Sequence, residues 1–407
     1  MNFILRLARA AGIAMLASLA ASVWAVGPKA YVGNFKDSTV SVIDLDAGEV
    51  VATVPVVTGP DGIVITPDGA SVFVSGSGAS SVSVIDTAKD SVVRAIEVGK
   101  GPQGLAMHPG GKQLLVAVNA DDRVALIDVA SGTLKATVPV PKPHTIAIRP
   151  DGTQAYVTSQ EPGKFAVVVI DLVTNKTVGN IALDKPPRDL EFSGDGKTLY
   201  LTLAGMAAVQ VIDPASNKIV AQIPTGVSPH VAHHFAGTAL GAVVVQGPGE
   251  IELFDPATNA PVRNIAVGKQ PHWMDITPDG KKLVVSNEGS NSVSIVVLAT
   301  DQTSTIAVGN APRKVAVQHV GSGGAAQVSI ANFAFAPAQT TITRGQSVSW
   351  SNDDGAPHGL VFKDGAPGNA LMLPGQKFAR RFDQAGSYDY ICSVHSYMTG
   401  RIVVKPL

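Results

Sequence analysis

The chain has 407 residues, a formal net charge of −1 and one cysteine. A near-neutral charge with no basic tract excludes the electrostatic footprint of a nucleic-acid binder, and a lone cysteine excludes an internal disulfide. Aromatic residues make up only 5%, while 41 glycines, 27 prolines and many valine-rich runs predict an all-β protein with frequent turns, long enough for two domains.

Residues 1–25 read as a signal peptide. Arg6 and Arg9 form a basic start, and Ala10 to Val23 is an apolar run short for a bilayer span. Val23-Trp24-Ala25 fits a small-residue cleavage signal, so the mature chain is expected to begin near Val26. Two arginines and no acids are then lost, which takes the net charge from −1 to −3. No other segment is a membrane-span candidate, and the expected location is periplasmic or secreted.

From residue 28 the chain repeats. Val42-Ile43-Asp44, Val84-Ile85-Asp86, Leu126-Ile127-Asp128, Val169-Ile170-Asp171, Val211-Ile212-Asp213 and Leu253-Phe254-Asp255 recur every 42 or 43 residues, with Ile295-Val296-Val297-Leu298 as a degenerate seventh copy. Turn signals such as Pro67-Asp68-Gly69 and Pro278-Asp279-Gly280 fall between them. Each unit reads as four short strands, and that period predicts β-propeller blades. Ala30-Tyr31-Val32-Gly33-Asn34 and Tyr156-Val157-Thr158-Ser159 resemble the YVTN repeat family of propellers, over residues 28–319. Seven blades are expected. Residues 304–319 carry only the first strand of a blade and residues 30–45 only later ones, so the two ends should complete one blade and cover each other's edges.

A proline precedes the innermost strand of each blade. The next residue reads, around the ring, Asp61, Gln103, His144, Arg188, His230, His272 and Arg313. Inner strands of a propeller start around one mouth of its channel. Three histidines and two arginines should therefore face one funnel, with Asp61 as the only acid. Three readings are open for this candidate catalytic ring. His144, His230 and His272 converge as neutral imidazoles on a second copper or another transition metal. Or Arg188 and Arg313 grip a small oxyanion. Or the ring solvates a water-filled channel. There is no C-x-x-C-H motif, which excludes a covalent c-type haem.

Residues 320–325 read as a Gly-rich linker. Beyond it, Cys392, His395 and Met398 stand in a C-x2-H-x2-M loop between two strand-like runs, and His358 begins a strand after the turn Asn352-Asp353-Asp354-Gly355. Two imidazoles, a thiolate and a weak thioether are the ligand set of a blue-copper site. Residues 326–407 resemble a plastocyanin- or amicyanin-type cupredoxin, a Greek-key β-sandwich. The resemblance implies His358, Cys392, His395 and Met398 as ligands of a type 1 copper. Val394 and Ser396 stand where relatives often have proline, and Gly359 where they usually have a polar residue.

The fold class expected is thus a seven-bladed β-propeller followed by a cupredoxin. That order resembles the architecture of nitrous oxide reductase, without the two-cysteine copper motif of its electron-entry domain. The expected function is a copper-dependent redox protein. Its cupredoxin relays single electrons between a protein partner, such as a cytochrome or another cupredoxin, and the channel ring, which acts on a small molecule. The alternative is a blue-copper carrier whose propeller only docks that partner, or a copper-handling protein.

Overall fold

The computed structural model describes residues 28–318, 326–343, 347–365, 368–382 and 384–405. The signal segment expected over residues 1–25 and the linker expected over 320–325 lie outside the described residues.

Seven four-stranded antiparallel sheets form the propeller. Blade one runs outward from the channel through Pro60–Ile65, Ser71–Gly76, Ser81–Asp86 and Ser91–Glu97, and five blades repeat it. Blade seven takes its inner strand, Pro312–Val317, from one end and Lys29–Asn34, Thr39–Asp44 and Glu49–Pro55 from the other. Ala30 pairs with Val317 and Val32 with Val315 across the join. The expected stitching is found with one correction. Residues 304–307 belong to Gln302–Ala307, the outer strand of blade six, and only Pro312–Val317 crosses over.

Three repeated positions explain the blade. The opening proline has no N–H to give the ladder, and the register slips just after it, for instance between Pro143 and Ile146 and between Pro271 and Trp273. Such a bulge re-aims the residues that follow. The middle strands are covered on both faces by neighbouring blades, so Ala155, Tyr156 and Val157 are all buried. Their apolar runs are therefore continuous rather than alternating. The aspartate ending the third strand closes the turn to the fourth. Asp171 Oδ1 accepts from the Val173 and Thr174 N–H groups at 3.0 and 2.7 Å, and Asn175 follows in the left-handed region at φ 55°. These bonds hold the Asp171 carboxyl below its usual range and account for the recurring Ile-Asp.

The second part is a two-sheet sandwich. One sheet orders Ala334–Ala336, Ala326–Ala331, Ser347–Asn352 and Lys377–Arg381. The other orders Gln339–Thr343, Thr399–Lys405, Gly386–Ile391, His358–Phe362 and Asn369–Met372. Trp350 fills the core, edge-on to Phe362 and Tyr390 at 5.8 and 5.4 Å between ring centroids. No helix among the described residues is long and apolar enough to cross a membrane.

Candidate metal centre and channel site

The loop between Gly386–Ile391 and Thr399–Lys405 is closed by its own backbone. Cys392 N–H donates to the Met398 carbonyl at 3.0 Å, and Met398 N–H to the His395 carbonyl at 3.0 Å. His395 N–H points at Cys392 Sγ, 3.4 Å away. His358 arrives at the start of the adjacent strand, fully buried. Cys392 Sγ then lies 3.7 Å from His358 Nδ1 and 3.9 Å from His395 Nδ1, and the two nitrogens are 3.3 Å apart. A circle through three atoms so spaced has a radius of about 2.1 Å, the usual imidazole–metal distance. The residues fit copper in donor type as well as spacing. Met398 is buried in the same core cluster, and His395 keeps partial exposure.

Two features here carry no sequence motif. Asp354 Oδ2 lies 2.9 Å from His358 Nε2, which puts the ring proton there and leaves a lone pair on Nδ1. Asp354 also accepts the N–H groups of Asn332 and Phe333, both at 2.9 Å, and these bonds hold its carboxyl below the usual range. Phe333 sits in the left-handed region at φ 56°, uncommon for an aromatic residue. Its half-exposed ring stands edge-on to His395 and His358, with centroids 5.0 and 5.5 Å away. Gly359 has a steric reason. A Cβ there would collide with Ser393 Oγ and the Ala370 carbonyl, which are themselves hydrogen-bonded at 2.6 Å.

In the propeller, His144, Arg188, His230, His272 and Arg313 all line one cavity of about 400 Å³, together with Asp61 and Gln103. Asp61 is not the only acid, contrary to expectation. Asp189 also lines the cavity, and Glu288, just past the end of the second strand of blade six, reaches the ring from the side. Arg313 is held by Asp61 and Glu288, both at 3.2 Å, and lies over the Phe35 ring. Arg188 donates to Ser228 Oγ and Gln246 Oε1, both at 2.9 Å. The rings of His230 and His272 are 4.0 Å apart between centroids. Burial, reinforced by Arg188, pushes His230 down to about 3. Burial also holds His144 and His272 below the usual imidazole range, so all three are neutral at physiological pH. Among the described residues, His358, Cys392 and His395 are the only group of three or more His, Cys, Asp or Glu side chains whose ligand atoms all lie within 4.8 Å of one another. The channel histidines share a cavity but form a wider ring.

A second tier of charge, mostly missed in the sequence, lies deeper in the channel. Glu191, His233, Asp275 and Lys314 line the adjoining cavity, and Lys314 Nζ stands 3.0 Å over the Trp273 ring. Burial pushes Glu191 up to about 8 and His233 down to about 4. Glu191, His233 and Asp275 each lie three residues past a ring residue on one strand. Period-2 strand reasoning misses that spacing, because the bulge after the proline shifts the facing positions.

The fold and ligand cluster together define a cupredoxin carried behind a propeller. Residues 323–405 match the model of copper binding proteins of the plastocyanin/azurin family, and residues 17–110 match the YNCE-like beta-propeller. Amicyanin-alpha of Methylorubrum extorquens is 34% identical over 88 residues, which are 20% of this chain and 73% of that protein. Amicyanin of Paracoccus versutus is 35% identical over 83 residues, 19% of this chain and 63% of its own length. Plastocyanin of Scenedesmus fuscus is 37% identical over 84 residues, 17% of this chain and 86% of that one. Through this C-terminal part the chain belongs to the plastocyanin/azurin family of copper-binding proteins. In fold it is similar to a chain of Kuenenia stuttgartiensis hydrazine synthase (TM-score 0.61, 22% identity, covering 66% of this chain and 92% of that one). It is also similar to the dihydro-heme d1 dehydrogenase NirN in complex with DHE (TM-score 0.56, 17% identity, covering 72% and 75%). The cupredoxin supports a copper-binding, electron-transfer role.

Proposed function

We propose that the protein is an exported copper redox protein. Its cupredoxin passes single electrons between a protein partner and the channel ring, and the ring acts on a small molecule such as a nitrogen oxide. The observation that carries the reading is the triangle of Cys392 Sγ, His358 Nδ1 and His395 Nδ1. Copper bound there as a type 1 centre would supply reversible one-electron chemistry. The chain's own residues do the rest. Asp354 fixes the His358 tautomer, the closed 392–398 loop holds three donors in place in either oxidation state, and burial of Cys392 and Met398 keeps water away. His395 is the exposed edge. Tyr397 and Val394 beside it are also exposed and suit contact with a redox partner.

The small-molecule role rests on a separate, half-open cavity at the channel mouth, lined by neutral imidazoles and by Arg188, which has no carboxylate partner among the described contacts. Such a cavity admits a small polar or anionic molecule. The test starts from reduced, copper-loaded protein mixed with nitrite in the absence of oxygen. Return of the visible band should follow, and His230→Ala or Arg188→Ala should slow it at least tenfold without changing the band itself. Equal reoxidation rates in all three proteins would remove the ring from the reaction. The carrier function would then stand alone.

A further inference from the structure

One hairpin turn of the cupredoxin carries a residue that its backbone disfavours. Ala331 pairs with Ala334 and Ile330 with Phe335, so Asn332 and Phe333 alone make the turn. Both have positive φ, 53° and 56°, the signature of a type I′ turn, whose preferred sequence is Asn-Gly. The asparagine is in place, but phenylalanine stands at the glycine position. Among the described residues it is the only aromatic one with positive φ. Backbone strain of this kind persists where the surroundings enforce it, and it collects at functional sites.

Core packing does not account for the ring. It is 44% exposed and stands outside the core cluster around Trp350. Its neighbours are the two imidazoles of the copper site. The His395 ring lies 5.0 Å away at 87°, and the His358 ring 5.5 Å away at 71°, both within the range of favourable edge-to-face contact.

The turn is pinned by the loop that leads into His358. Asp354 Oδ1 accepts the Asn332 N–H, while Asp354 Oδ2 accepts the Phe333 N–H and faces His358 Nε2, all at 2.9 Å. Ser329 Oγ donates to Asp353 Oδ2 at 2.6 Å, and the Asp353 N–H to the Ile330 carbonyl at 2.9 Å. One carboxylate therefore holds His358 directly and reaches His395 through Phe333. His395 has no carboxylate of its own. Among the described residues its ring meets Cys392, His358, Phe333 and Tyr397. The χ2 well of a histidine is broad, so a ring without an outer contact turns easily.

We propose that Phe333 is a positioning residue for the copper centre. Its ring fixes the angle of His395 and covers the imidazole pair from solvent. A fixed ring keeps Nδ1 directed at the metal. A covered pair excludes water, which would favour the more highly charged, oxidised ion. This role needs copper at the Cys392–His358–His395 triangle and nothing from the channel.

The test uses the full chain with copper bound. Phe333→Gly installs the residue the turn prefers, so melting of the metal-free protein, followed by circular dichroism, should match the parent's. The visible band should remain, because no donor is changed. With ascorbate present, copper should pass to bathocuproine disulfonate at least tenfold faster than from the parent, and the reduction potential should fall. Phe333→Tyr should restore both values. Asparagine also tolerates positive φ, so Phe333→Asn should show the same loss and keeps the test decisive if Phe333→Gly is not folded. Parent-like copper release and potential in these ring-less variants overturn the proposal. So does a Phe333→Tyr protein that behaves like Phe333→Gly. A parent chain that takes up no copper would overturn the triangle itself, and the proposed function with it.

Discussion

The two candidate sites are built by opposite strategies. In the cupredoxin, three candidate donors come from one seven-residue loop, and the fourth, His358, is held by a neighbouring strand and by Asp354. In the propeller, each ring residue comes from a different blade and sits at the same place in its repeat. The loop site is closed, with nitrogens and sulfur already 3.3 to 3.9 Å apart. The ring lines an open-mouthed cavity of about 400 Å³. A short loop fixes distances because few torsions separate its donors. A symmetric ring fixes only direction, and the width of its opening follows from blade number.

The sharpest way to break this comparison is at the thiolate. Cys392→Ala should abolish the intense visible band of the copper-loaded protein. Met398→Leu should keep it and raise the potential, because loss of a weak axial donor favours the reduced ion. A Cys392→Ala protein that stays blue would overturn the loop site. Next comes its support. Asp354→Asn should weaken copper binding about 10–100-fold, as loss of an outer-shell partner does, while its melting curve without metal stays near that of the parent. Unchanged copper affinity would mean the loop needs no help.

The channel can be probed through Glu191. Its carboxyl is pushed up to about 8 by burial, so the folded state holds a proton that the unfolded state gives up above its ordinary range. This contribution is fully present below about pH 4.3 and is lost as pH rises toward 8. Glu191→Gln keeps the neutral form at all pH values. Its melting temperature should exceed the parent's by roughly several degrees more at pH 8 than at pH 5. A pH-independent gap would place Glu191 in contact with solvent. The smallest effect is expected from cutting the chain within residues 320–325. The circular dichroism of the two pieces should sum to that of the whole, and the C-terminal piece should keep the blue band. Unfolding of either piece would make the two parts one cooperative unit.

Much of this was legible in the sequence. The Ile-Asp repeats gave the blade count because the aspartate has a local task, closing a turn. The C-x2-H-x2-M spacing gave the loop site because its donors are local too. The ring residues could be aligned because the preceding proline marks their register. Asp354 could not be assigned a role, since its partner His358 is defined only by the metal the sequence implied. Glu288 and Asp189 escaped because neither occupies the ring register. One reaches the cavity past the end of a second strand, and the other follows the bulge. The width of the ring was also invisible, since no local pattern encodes the distance across a channel.

The join in blade seven has a consequence for how the molecule comes into being. Its inner strand, Pro312–Val317, is the last piece of the propeller to leave the ribosome, and Arg313 rides on it. Six blades can form as synthesis proceeds, but the circle stays open until that segment meets Lys29–Asn34. Pairing across nearly the whole propeller is slow compared with local hairpins. The nascent chain therefore carries an unfinished channel, lacking Arg313 and its ties to Asp61 and Glu288, until the final strand docks. The Cys392 loop is made later still, so a chain that stops before Pro312 holds neither site, and one that stops between Gln318 and Cys392 holds the ring alone.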